Sequence, residues 1–281
     1  MSARYPQRII CLTEETCETL YLLGEQDRIV GISGFTVRPP QARKEKPRVS
    51  AFISAKIEKI LALEPDLVLG FSDLQADIAA DLIAKGVAVY IFNQRSVAQI
   101  LDMILVLGSM VGAGERAAAL AQQLESGLDD IRRAAAGWNA RPRVYFEEWD
   151  EPLISGIRWV SELIGIAGGA DCFMEHAQFP DAKRRIIADA GEVARRRPDI
   201  IVGSWCGKRF RPEQVRARAG WGYIPAVANN ELYEIKSSDI LQPGPAALTD
   251  GVQRLHAIIA RWQEQHETRN HNMEPTHVLE T

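Results

Sequence analysis

The chain is poor in cysteine and carries no excess of one charge. Only four of its 281 residues are Cys, and no two of them form a C-x-x-C pair, so we expect a fold that does not depend on disulfides. Lys and Arg together number 33 and Asp and Glu 37, which leaves a formal net charge of −4. Without a sequence-wide basic field, binding to nucleic acid is not expected.

Long apolar runs are also missing. The longest uncharged apolar stretch, residues 103–114, is well short of the roughly 20 residues that a bilayer span needs, so we expect no membrane insertion. Residues 1–8 pass directly into an apolar strand candidate at 9–12, without the apolar core of a signal peptide. We therefore predict a cytoplasmic location, with a periplasmic one as the alternative if a signal has been removed.

Short apolar runs alternate with amphipathic stretches in the first third of the chain. The runs at 8–12, 28–32, 67–70 and 87–92 have the length and composition of buried strands. The amphipathic stretches between them end at Gly or Pro, as helices do. This alternation is typical of a parallel sheet covered by helices, and it restarts after residue 141.

One long amphipathic segment, residues 114–137, separates the two alternating regions. Leu120, Leu124 and Leu128 fall on one stripe, which predicts a single helix. We therefore predict an α/β fold of two Rossmann-like lobes, each a mainly parallel sheet with flanking helices, joined by one long α-helix. The predicted domains are an N-terminal lobe at 1–113, the connecting helix at 114–140, a C-terminal lobe at 141–262 and a polar mobile tail at 263–281.

A weak internal repeat supports the two lobes. Residues 58–70 and 192–203 each read as a helix, a Pro-Asp stop, a short apolar strand and a Gly. An aromatic follows each Gly, Phe71 in one copy and Trp205 in the other. Because loops at the carboxyl ends of parallel strands carry ligand sites, we expect both aromatics to face a shared cleft.

Seven stretches of the chain, in this order and spacing, carry a resemblance to a known family. They are residues 28–33, Pro39-Pro40, 47–49, 57–69, 146–153, 162–169 and 243–245. The chain resembles the vitamin B12 (cobalamin) and iron-siderophore substrate-binding proteins of ABC transporters, which are class III periplasmic binding proteins. This resemblance implies a non-catalytic protein that captures a cobalamin-like corrinoid between its lobes, with the corrinoid as ligand and no catalytic cofactor.

The resemblance also implies ligand-binding residues. Alignment on residues 57–69 and on Pro39-Pro40 places Phe35, Phe52 and Phe71 where family members pack aromatics against the corrin. A corrin is a wide and mostly apolar disc with amide fringes, which flat aromatic faces can cover.

In the second lobe we expect three further ligand contacts. Trp205 and Arg209 follow the predicted strand at 200–202, where Trp205 can stack on a ring and Arg209 can hold an amide, phosphate or carboxylate. Trp149 lies in the segment 146–153, to which the resemblance gives a ligand-side or hinge role.

Family members dock onto a permease through one surface Glu on each lobe. Glu58, seven residues before Pro65, matches the first of these positions. In the second lobe the nearest acid is Glu192, six residues before Pro198, and an acid there also complements a helix dipole. We expect an ABC permease as partner and a monomer in solution.

Two alternative functions stay open. An iron-siderophore or haem in the same cleft would depend more on Lys208, Arg209 and Arg211 than on the three Phe. The second alternative is a cytosolic enzyme that processes a corrinoid or tetrapyrrole, which turnover of its ligand would reveal. We predict no catalytic residue and no metal site, because neither a nucleophile and base arrangement nor a closed zinc spacing occurs in the sequence.

Overall fold

The chain divides into two compact units in a computed structural model that describes residues 5–271. The first unit ends at Gly127 and also contains Gln242–Thr249. The second unit begins at Leu128, runs to Leu241 and resumes at Asp250. The segment Gln242–Thr249 therefore belongs to the first unit although it follows the second sheet in sequence. The domain bounds expected from the sequence stay a prediction.

The first unit contains a sheet of five parallel strands. Its order is β3-β2-β1-β4-β5, and every pair of neighbours is parallel. The strands are β1 Ile9–Cys11, β2 Ile29–Ser33, β3 Arg48–Ser50, β4 Leu67–Phe71 and β5 Val89–Phe92. The helices are α1 Glu14–Leu22, α2 Ala42–Glu45, α3 Ile57–Leu61, α4 Ala76–Ala84 and α5 Val97–Met110.

Apolar side chains of strands and helices form the core of this unit. Ile10 and Val68 of neighbouring strands pack with Ile60 of α3 and Leu82 of α4 in one buried cluster. Burial of these side chains removes apolar area from water, which is the main force that holds helices onto a sheet.

Helix α6, Gly114–Ala136, runs from the first unit into the second. It confirms the long helix predicted over residues 114–137. The predicted fold class is confirmed as well, because each unit has a mainly parallel sheet with flanking helices.

The second unit has a five-stranded sheet in which one pair is antiparallel. The order is β10-β9-β6-β7. Strand β8 pairs with the first residues of β6, whereas β7 pairs with its last residues. The strands are β6 Arg143–Asp150, β7 Leu153–Ser155, β8 Ala170–Asp171, β9 Ile200–Gly203 and β10 Leu232–Glu234. The helices are α7 Arg158–Ile166, α8 Gly191–Arg196, α9 Pro212–Arg216, α10 Pro225–Ala228, α11 Ser237–Ile240 and α12 Val252–His271.

The last helix differs from the prediction at both ends. The sequence pattern predicts a helix over 246–262, whereas Ala247–Gly251 forms a π-helical turn and α12 continues to His271. Part of the predicted polar tail is therefore helical, and its last residues, 272–281, lie outside the described residues.

Between residues 5 and 271, no helix is both long enough and apolar enough to span a membrane.

Aromatic side chains dominate the core of the second unit. The ring of Tyr145 lies 5.4 Å from that of Phe173 and 6.2 Å from that of Trp221, centroid to centroid. Trp205 meets Phe210 edge to face at 5.0 Å, and both are buried. Such tilted contacts are the favoured geometry of aromatic pairs.

Gly203→Ala should destabilise the second unit by roughly 1–3 kcal/mol, because the new methyl group overpacks the core. A Cβ at Gly203 would lie 1.9 Å from Cδ2 of Phe210. Urea denaturation of the purified variant measures the loss. The control is Gly127→Ala, at an exposed position of α6 with no atom near the new Cβ. It should be neutral or stabilising, and equal behaviour of the two variants would contradict the close approach of Phe210.

Candidate functional site

Exposed apolar side chains collect at one edge of the first sheet. Phe35 and Val37 follow β2, Ile53 follows β3 and Leu74 follows β4, and their exposed fractions are 61, 44, 69 and 57%. The carboxyl ends of parallel strands share one edge of the sheet, so these loops are neighbours. We call these four residues, with the half-buried Phe52, the apolar rim. Large exposed apolar patches often mark interaction sites, so this edge is a candidate functional site.

The Gln75 side chain forms hydrogen bonds with three segments at this edge of the sheet. Its side chain is fully buried. The Oε1 atom accepts the Phe71 N–H at 2.9 Å, and Nε2 donates to the carbonyls of Phe52 at 2.8 Å and Leu12 at 3.3 Å. A Cβ at Gly70 would lie 2.6 Å from the Gln75 Oε1 atom, so a larger residue there would displace the Gln75 side chain. One side chain thus ties together the segments after β1, β3 and β4.

The three predicted corrin-packing aromatics differ in accessibility. Phe35 is exposed and Phe52 half-buried, both in loops after strands. Phe71 ends β4 and is only 6% exposed, and the guanidinium carbon of Arg95 lies 4.7 Å from its ring centroid. The ligand-binding role of all three stays a prediction. At Phe71, the group nearer to the surface is the Arg95 side chain and not the ring.

Two buried glutamates of α1 hold further segments of the edge. Glu14 Oε2 accepts the backbone N–H groups of Val37 and, at 3.0 Å, Arg38. Glu18 Oε1 accepts Arg38 Nε at 3.0 Å, and Glu18 Oε2 accepts the Ala246 N–H at 3.1 Å. The loop that carries Phe35 and Val37 is therefore fastened by two carboxylates.

The segment Gln242–Thr249 is held at the same place. Gln94 Nε2 donates to the Pro243 carbonyl at 2.9 Å. A Cβ at Gly244 would lie 2.5 Å from Cβ of Glu15, so its glycine permits the close approach.

Burial raises the pKa of Glu14 and of Glu15 to about 7. Desolvation of the charged form is the largest cause at both residues, and the backbone hydrogen bonds from Val37 and Arg38 oppose it at Glu14. Within the described chain, Glu14 Oε1 and Glu15 Oε2 are buried without a hydrogen-bond partner. Both carboxyl groups therefore titrate near neutral pH.

At the edge of the second sheet, Lys208 lies over two tryptophans. Its Nζ is 4.3 Å from the Trp149 ring centroid and 5.1 Å from that of Trp205, and it pairs with Asp150. Trp149 is half-buried and Arg209 exposed. Trp205 is only 3% exposed, and its indole N–H donates to Glu147 Oε1 at 3.0 Å. Trp149 and Arg209 are thus accessible, whereas Trp205 supports the edge from inside.

Two adjacent glutamates of β6 form ion pairs inside the second unit. Glu147 binds Arg218 through both carboxylate oxygens, at 2.6 and 2.8 Å. Glu148 binds Arg185 in the same manner, at 2.6 and 3.0 Å. Adjacent residues of a strand point to opposite faces, and the separate partners of these two side chains agree with that.

The two predicted docking acids have different surroundings. Glu58 is exposed in the first turn of α3. Glu192 accepts from Arg195 Nε at 2.9 Å and from Arg196 Nε at 2.8 Å. These hydrogen bonds, chiefly the one from Arg196, lower the pKa of Glu192. Glu58 is the more accessible candidate, and both roles stay predictions.

Several residues of the site were not found from the sequence. They are Glu14, Gln75, Arg95 and three members of the apolar rim, Val37, Ile53 and Leu74. Most of them stand within a few residues of a strand's carboxyl end, so the rule that indicated Phe71 could have indicated them too.

Comparison with known proteins shows the family. A family model described as "Periplasmic binding protein" matches residues 9–238. The chain belongs to this family, and the resemblance stated from the sequence is confirmed.

Individual relatives in the family have low sequence identity to this chain, at 26% for the two described next. The vitamin B12-binding protein of Vibrio cholerae is 26% identical over 267 residues, which cover 92% of this chain and 91% of that protein. An uncharacterized ABC transporter substrate-binding lipoprotein, YvrC of Bacillus subtilis, is 26% identical over 264 residues, 89% of this chain and 79% of that one. The periplasmic heme-binding protein RhuT from Roseiflexus has the same fold, with a TM-score of 0.75, 22% identity, and coverage of 90% of this chain and 99% of that one.

The melting temperature of the unliganded protein should fall by roughly 5 °C between pH 5 and pH 8. The pKa of Glu14 and of Glu15 rises from an ordinary value of 4.5 to about 7 on folding. In this window the folded state holds protons that the unfolded chain has released, so stability decreases as pH rises. Differential scanning calorimetry over this pH range measures the slope.

Glu15→Gln isolates one contribution to that slope. The amide has no charge to desolvate and can still accept from Thr13, as Glu15 Oε1 does at 2.6 Å. Its melting temperature should fall less with pH than that of the wild type, while the exposed Glu125→Gln variant should follow the wild type. Identical slopes for Glu15→Gln and wild type would contradict the raised pKa.

Proposed function

We propose that this protein binds a cobalamin-like corrinoid at the apolar rim of the first unit and catalyses no reaction. The observation that carries the proposal is the exposure of Phe35, Val37, Ile53 and Leu74 on loops whose backbones are fastened by buried side chains. A fixed apolar surface suits a rigid disc, because little conformational entropy is lost when the two meet.

A sequence relative supports a corrinoid as the ligand. A vitamin B12-binding protein is similar to this chain over nearly its whole length. We extend the ligand of that relative to this chain, with Phe35 and Phe52 covering the corrin face and Phe71 lying behind Arg95. Trp149 and Arg209 are the proposed contacts on the second unit, and Trp205 acts by holding the Glu147 carboxylate.

Haem or an iron-siderophore is the second candidate ligand. Lys208, Arg209 and Arg211 are exposed on the second unit and suit carboxylates or other oxygen anions. The haem-binding protein of the same fold makes this ligand class a reasonable comparison in the test.

We further propose that the protein delivers its ligand to an ABC permease, with Glu58 as a docking contact. Glu192 is a weaker candidate, because Arg195 and Arg196 already bind its carboxylate. The cytoplasmic location expected from the sequence has no support from the comparisons. They favour the periplasmic alternative, since the family is named for periplasmic proteins and one relative is named a lipoprotein.

Titration with cyanocobalamin, dicyanocobinamide, haemin and a ferric siderophore tests the proposal. Binding is followed by ligand absorbance and Trp fluorescence. Phe35→Ala and Phe52→Ala should each raise the Kd for corrinoid by about 10-fold or more, because each removes a large apolar contact.

Tyr223→Ala is the control, because this tyrosine is the most exposed aromatic in the described second unit, at 87%. It should bind as the wild type does. If the wild type binds haemin or siderophore and no corrinoid, the second candidate replaces the first. Conversion of a bound ligand into a new product would contradict a purely binding role.

A further inference from the structure

Arg95 stands at the carboxyl edge of the first sheet, between β5 and α5. Its backbone N–H donates to Gln99 Oε1 at 2.7 Å, and the Ser96 hydroxyl caps the same helix by accepting the Gln99 N–H at 3.2 Å. The start of α5 therefore fixes where the Arg95 side chain leaves the backbone.

The guanidinium of Arg95 is held in place as well. Nη2 donates to Asn93 Oδ1 at 3.0 Å and lies 3.7 Å from Asp73 Oδ1. The guanidinium carbon stands 4.7 Å from the centroid of the Phe71 ring. An aromatic face attracts a cation placed over it, so the Phe71 ring further restrains the Arg95 guanidinium. This side chain is thus ordered before any ligand arrives.

The same contact decides what a ligand meets at this point. Phe71 is 6% exposed, whereas the Arg95 side chain is 18% exposed. Contact with the Phe71 ring face under the guanidinium would require Arg95 to leave Phe71 and Asn93. A ligand at this point would therefore meet the exposed part of Arg95 before it met the Phe71 ring.

We propose that Arg95 is a specificity-determining residue, which binds oxygen acceptors at the periphery of the macrocycle while the apolar rim covers its face. This inference rests on the proposed function. Guanidinium groups bind carboxylates most strongly and amide carbonyls less strongly. The acceptor is an amide carbonyl if the ligand is a corrinoid and a carboxylate if it is haem, and the two sources are separated by the probes below.

Asp73 lowers the net positive charge around the Arg95 guanidinium. Its carboxylate is 84% exposed and close enough to offset part of the Arg95 charge. Asp73→Asn should therefore strengthen the binding of an anionic probe and leave that of a neutral probe nearly unchanged.

The test uses the full-length protein with three probes: cyanocobalamin, haemin and haemin dimethyl ester, which lacks the carboxylate charges. Arg95→Ala should raise the Kd of the bound macrocycle by about 10-fold, and Arg95→Lys should recover part of the loss. If haemin is the ligand, the wild type should prefer it to its ester, and Arg95→Ala should lose this preference. A merely structural role would not produce a charge preference.

Arg132→Ala is the matched control, because Arg132 is exposed on α6 and pairs with Asp129 of the same helix. It should bind every probe as the wild type does. Equal or tighter macrocycle binding by Arg95→Ala would overturn the proposal, since Arg95 would then be a cover that the ligand displaces. That result leaves the proposed function standing, whereas a wild type that binds none of these macrocycles overturns both.

Discussion

The loops at the carboxyl edge of the first sheet depend on buried polar side chains that bond to them. Backbone groups beyond the ends of parallel strands have no ladder partners, and buried ones need a bond from elsewhere. Gln75 supplies such a bond after β1, β3 and β4, and Glu14 supplies it after β2. Glu18 supplies one to the Ala246 N–H, and it also binds the Arg38 side chain after β2. The exposed side chains of Phe35 and Ile53 therefore project from loops with fastened backbones. Burial of the acids has a cost, which appears as a raised pKa at Glu14.

In the second unit, ion pairs provide the partners of the buried polar groups. Adjacent residues of a strand point to opposite faces, so Glu147 and Glu148 need separate partners and find them in Arg218 and Arg185. A charge buried without a partner would be strongly destabilising. Both carboxylates are therefore engaged in ion pairs inside the second unit. The cation of Lys208 over Trp149 keeps an aromatic surface and a charge together at this edge.

Segments with a strong apolar pattern are predictable from the sequence, whereas short segments without an apolar run are not. The stripe of α6 and the apolar runs of β1, β4 and β9 have the periodicity or length that a sequence pattern reveals. The short strands β3 Arg48–Ser50 and β8 Ala170–Asp171 have neither, because each contains a charged residue in place of an apolar run. Their pairing depends on the neighbouring strand. The start of α12 differs from the pattern because the π-helical turn at Ala247–Gly251 overlaps Gln242–Thr249, which belongs to the first unit.

The residue pattern alone is sufficient for the α/β class, for two sheets whose sequences are separated by that of a long helix, and for aromatics at strand ends. These features depend on local periodicity and on the rule that parallel strands end at one edge. Tertiary structure decides which of those aromatics a ligand can reach. Phe35 and Phe71 both follow or end a strand, yet one is exposed and the other lies beneath Arg95, and Trp205 is buried against Phe210. Exposure depends on side chains that arrive from elsewhere in the chain, which no local pattern contains.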